Sequence, residues 1–105
     1  MIVTTTPQIE GHPIQQYCGL VSGEVIIGAN AFKDFMASLH DFFGGRSSEY
    51  EDTLVEARQN AMQEMQARAS QMGGNAIVGV DVDYETVGPS GSMLMVSVTG
   101  TAVRI

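Results

Sequence analysis

The stretch Asn75-Ala-Ile-Val-Gly-Val-Asp-Val-Asp-Tyr-Glu85 alternates apolar and acidic residues over most of its length. Side chains along a strand point to opposite faces in turn. The stretch therefore predicts a strand with Val78, Val80, Val82 and Tyr84 on one face and Asp81, Asp83 and Glu85 on the other. Downstream, Gly88-Pro-Ser-Gly91 reads as a turn, and Met93–Val103 alternates again. Setting Val82 opposite Val98 and Tyr84 opposite Val96 joins the apolar faces and places Asp81, Asp83 and Glu85 opposite Thr99, Ser97 and Met95. A slip of one residue would put carboxylates against valines, so the pattern specifies one register.

Upstream of this hairpin, Ser48-Glu-Tyr-Glu51 is a capping box that opens a helix running to about Met72. Gly73-Gly-Asn75 stops it. Its apolar arc takes in Tyr50, Leu54, Ala57, Ala61, Met65 and Met72, then widens through Val55, Met62 and Ala69. So broad an arc predicts contact with the sheet on one side and a neighbouring subunit on the other. Arg58 falls inside the arc, where a structural salt bridge is expected.

Another helix is predicted between Asn30, as N-cap, and Gly44, where Phe32, Phe35, Met36, Leu39, Phe42 and Phe43 recur at helical spacing. Before it, Ile2–Thr5 reads as a short strand and Gly11-His-Pro13 as a turn. Ile14 to Ile27 alternates, with Tyr17, Gly19, Val21, Gly23, Val25 and Ile27 sharing a face. Its glycines suggest a bulge or a close backbone approach. The expectation is an α+β domain over residues 1–105, a small antiparallel-rich sheet packed on a long helix, in the order ββ-α-α-ββ.

Composition narrows the function classes. A net charge of −7, with scattered Arg46, Arg58, Arg68, Arg104 and Lys33 as the basic residues, argues against a nucleic-acid partner. Hydrophobic residues make up 44% and charged residues 16%, which in so small a domain predicts surface buried in an oligomer. The single cysteine, Cys18, allows neither an internal disulfide nor a four-cysteine zinc site and fits a reducing cytosol. No stretch approaches the roughly 20 apolar residues of a membrane span, and no leader is visible, so a cytoplasmic location with no membrane partner is expected.

Several blocks together resemble the YbjQ-like family of small proteins. They are Met1-Ile-Val-Thr-Thr-Thr6, Gly23-Glu-Val-Ile-Ile-Gly-Ala-Asn30, Gly44-Gly-Arg-Ser47, Asn75–Glu85 and Ser92–Val103. The resemblance implies a subunit of dodecin-like topology and a ring-shaped homopentamer. The family is labelled as heavy-metal-binding, with no ligand set that carries over residue by residue.

Asp81, Asp83 and Glu85 are the candidate metal ligands, because hard divalent cations take carboxylate oxygens. Neighbours at i and i+2 on a strand stand about 6.6 Å apart, so their side chains must lean together, or a ring of subunits must bring copies of the stripe together. Softer donors are Cys18, His12, His40, Met93 and Met95, at spacings that match no local motif. Met62, Met65 and Met72 read as core. Arg46, Ser47 and Ser48 precede a helix N-terminus and form a candidate anion contact. No nucleophile–His–acid grouping is readable. The leading expectation is a non-catalytic binding or scaffold homopentamer with a small ligand or metal between chains. The alternatives are a metal-binding protein with carboxylate or soft ligands shared between subunits, and a small enzyme with an intersubunit site.

Overall fold

The computed structural model describes residues 1–28, 30–31 and 48–105. Its central hairpin pairs β3 (Ala76–Val87) antiparallel with β4 (Met93–Arg104) through a short 3-10 turn at Pro89–Gly91. The register is the one the alternation demands: Val82 faces Val98, Tyr84 faces Val96, and Asp81, Asp83 and Glu85 face Thr99, Ser97 and Met95. β2 (Gln16–Ile27) runs antiparallel along the other side of β4, and β1 (Ile2–Val3) adds parallel to the start of β3. The sheet is mixed, in the order β1-β3-β4-β2.

Two bulges change the faces read from the sequence. The pairing of β3 shifts between Val78 and Asp81, where Gly79 takes φ +62. That left-handed conformation suits glycine because it has no Cβ to clash. Val78 and Val80 therefore do not share a face, contrary to strict alternation. Val80 joins Ile77, Val98 and Ala102 under the helix, whereas Val78 packs with Ala76 and Val103 beneath Ile9, Ile14 and Ile105. The second shift lies between Tyr17 and Gly19, which pair with Val103 and Ala102. It separates Tyr17 from Gly19, Val21 and Gly23 and turns it to the opposite side of the sheet.

The helix α1 (Ser48–Gln71) covers one face of this sheet. Ala57, Ala61, Met65 and Ala69 form its buried stripe at intervals of four residues. This is narrower than the expected arc: Leu54 and Met62 are partly buried, while Val55, Arg58 and Met72 are exposed. Small alanines let the helix come close. A Cβ at Gly23 would overlap the Ala61 carbonyl oxygen and lie 2.9 Å from the Met65 amide nitrogen. The helix packs most extensively on β2, less on β4 and least on β3. It ends in a Schellman motif, with the Gly74 N–H donating to the Ala69 carbonyl, the Gly73 N–H to that of Ser70, and Gly73 at φ +86.

Among the described residues the elements run ββ-α-ββ, with one helix where the expected order ββ-α-α-ββ has two. The phenylalanine-rich segment 32–43, on which the other helix was expected, lies outside the described residues.

Candidate functional site

Helix α1 occupies one face of the sheet and leaves the other to small polar, acidic and apolar side chains. Strand alternation puts Leu20, Ser22, Glu24 and Ile26 of β2 on this open face, with Met95, Ser97, Thr99 and Thr101 of β4 and Asp81, Asp83 and Glu85 of β3. Pairing aligns them in rows across the strands: Glu24–Ser97–Asp83, Ser22–Thr99–Asp81 and Ile26–Met95–Glu85. The acidic stripe is thus an exposed column on β3, with a further carboxylate, Glu24, two strands away. That fourth carboxylate was not picked out from the sequence. Its place in the stripe's row depends on β2 pairing, which alternation within β3 does not report.

The two sides of the face differ electrostatically. The Asp83 carboxyl is raised above its ordinary value, chiefly by a hydrogen bond with the Asp81 side chain and then by the Asp81 charge, with slight desolvation and the Glu85 charge adding to it. Glu24 is lowered. The Ser22 hydroxyl donates to its Oε1 at 2.9 Å, and Arg68 Nη1 donates to its Oε2 at 3.1 Å. Arg68 also pairs with Glu64 one turn back on the helix and donates to the Ser22 carbonyl at 2.8 Å.

Asp81 and Asp83, two residues apart on one exposed strand face, thus influence one another's charge. Among the described residues, however, no three His, Cys, Asp or Glu side chains converge as a metal-holding group. Nor do the described soft donors meet. Cys18 packs into the cluster under the helix, while His12 lies in the turn closed by the Ile9–His12 bridge. Met65 is fully buried in the core, and Met93 and Met95 are half-buried on the open face. The donors of one described chain thus do not by themselves fit a soft-metal site. His40, Arg46 and Ser47 lie outside the described residues, as does the side chain of Ser48, the first residue of α1.

A pocket of about 300 Å³ does form, lined by Gln8, Ile9, His12, Pro13, Ile14 and Tyr17. It exists because the bulge at Cys18 turns Tyr17 to the side where the 8–14 turn sits. The glycine-rich alternation of β2 hinted at a bulge, but not at its position.

Fold and open face together define a small α+β protein with a carboxylate-bearing sheet surface. The chain belongs to the YbjQ-like family, described as "Putative heavy-metal-binding", whose profile matches residues 1–105. A solved structure of a DUF74-family protein of unknown function from Pediococcus pentosaceus is similar, with a TM-score of 0.58 and 19% identity over 100% of this chain and 97% of that one. At that identity the likeness bears on the fold alone. Among the described residues, no helix is long and apolar enough to cross a membrane.

Proposed function

We propose that this protein is a non-catalytic binding protein of the cytoplasm that works as a homo-oligomer, a pentamer by the family resemblance, and takes its ligand where chains meet. The observation that carries this reading is the open face. Leu20 is 80% exposed and Ile26 56% exposed on a strand whose other face carries the buried Val21, Gly23 and Ile27. Apolar side chains that adjoin one another on a structured surface favour association, and Ile26 stands beside Met95 on this face. Sedimentation at micromolar concentration tests it, with about five times the subunit mass expected and a stable monomer refuting it.

The second reading is that the ligand is a divalent cation held by Asp81, Asp83 and Glu85 of neighbouring chains. It is favoured by the three carboxylates aligned on one exposed strand face and by the description of the family. The triple change Asp81→Asn, Asp83→Asn and Glu85→Gln keeps shape and removes charge. A cation-dependent rise in melting temperature should be present in the parent and absent in the variant. Equal responses of the two proteins to Ca²⁺, Mn²⁺ and Zn²⁺ would rule the stripe out as the site.

A further inference from the structure

The outer edge of β2 is 12 residues long, and among the described residues no strand pairs with it. The Ser22 carbonyl points out from this edge, since Arg68 reaches it from outside the β2–β4 ladder. In an antiparallel pair successive residues turn their backbone groups toward and away from the partner. Leu20, Glu24 and Ile26 therefore share the outward direction of Ser22, and their side chains all lie on the open face.

This outward set is self-complementary. Turn a second β2 about a two-fold axis at Gly23 and Leu20 falls opposite Ile26, Ser22 opposite Glu24, and the reverse on the other side. Every opposed pair consists of outward-pointing residues, as the hydrogen-bonded positions of an antiparallel ladder require. Apolar meets apolar at both ends, and a hydroxyl meets a carboxylate in the middle. A long edge strand with such a pattern is a template for pairing with another copy of itself.

Arg68 stands at the centre of that template. Its guanidinium takes up the Ser22 carbonyl, holds Glu24, and is anchored by Glu64 on its own helix. A charged group in the plane of the edge blocks the ladder where the two-fold would fall, and burying it there without its partners costs free energy. We infer that the backbone edge of β2 is a latent pairing surface for β2 of a second copy and that Arg68 keeps it closed, so that the native protein associates through its open face and not by extending the sheet at this edge.

The test places a spin label at Leu20→Cys in a Cys18→Ser background, with Arg68 intact or changed to Ala. Pairing about Gly23 separates the two labelled positions by six residues along the strands, about 20 Å. The expected result is no such distance with Arg68 present and a clear one, with concentration-dependent association, in Arg68→Ala. Arg68→Gln, which keeps the stem and loses the charge, should behave like Arg68→Ala and guards against a folding defect in the shorter variant. A distance near 20 Å in the Arg68-containing protein would show that the edge is not closed. Its absence from both folded variants would show that the edge is no pairing surface. Because the same labelled position is compared with and without Arg68, a distance that appears only on its removal reports the edge and is separable from association through the open face.

Discussion

Gly23→Ala should be among the most damaging single-methyl additions available to this chain. The added Cβ would overlap the Ala61 carbonyl oxygen and stand 2.9 Å from the Met65 nitrogen and 3.1 Å from the Ala61 carbonyl carbon, against 3.4–4 Å for ordinary contact. All three obstacles are helix backbone, so no rotamer change relieves them. Helix α1 must lift off β2 by several tenths of an ångström or more, loosening Ala57, Ala61, Met65 and Ala69 from the sheet together. Overpacking a well-filled core costs about 1–3 kcal/mol, and a clash with backbone belongs at the upper end, about 3 kcal/mol. For a domain of this size that is a fall of about 12–20 °C in Tm. Thermal and urea unfolding followed by circular dichroism measure it directly. Gly100→Ala is the comparison: its nearest obstacles are the Ile77 Cγ2 methyl at 2.7 Å, the Val78 carbonyl oxygen at 3.2 Å and the Val80 Cγ2 methyl at 3.2 Å, milder overlaps than at Gly23, so a smaller loss is expected. A Gly23→Ala protein within about 0.5 kcal/mol of the parent would refute the close seating of the helix on the edge strand.

Gly79→Ala probes the β3 bulge. Nothing crowds a Cβ there, but φ +62 is strained for alanine, so a loss of about 1–2 kcal/mol is expected in urea unfolding, from conformation alone. Asp83 has a raised carboxyl, and such a group contributes stability below its unfolded value that is lost as pH rises through the folded one. Asp83→Asn should therefore raise Tm at neutral pH, and the gain should shrink on acidification; a variant less stable than the parent at neutral pH would contradict this. Glu24 has the opposite sign: its depressed value gives stability above the unfolded pKa that is lost as pH falls through the folded one. As the network is exposed, Glu24→Gln should cost at most about 1 kcal/mol at neutral pH and nothing in acid, read from paired unfolding curves.

Much of the hairpin was legible in the residues themselves. Period-two alternation in Val82-Asp83-Tyr84-Glu85 against Met95-Val96-Ser97-Val98 excludes every odd slip, which would set charge against the valines, and the short turn selects among the even ones. The helix from Ser48 to Gln71 was legible for a similar reason, since a capping box and a glycine stop bound a run with helical spacing. What alternation cannot report is where a strand carries an extra residue. Gly79 and the Tyr17–Gly19 step each insert one, and each reverses the face of the residues before it. Val78 and Tyr17 thus face the side opposite to the one that alternation predicts, within strands that alternation locates.

The sequence by itself determined that three carboxylates share one face of one strand. Only the tertiary structure decided which face the helix would cover and that Glu24 would align with Asp83 through Ser97. It also decided that the helix sits chiefly over β2, with Arg68 reaching the edge beyond it. The physical reason is that strand periodicity is a local property of the backbone, whereas these choices depend on contacts between residues far apart in the chain. The missing side chain at Gly23 is the clearest case: it becomes meaningful only when the Ala61 carbonyl arrives against it.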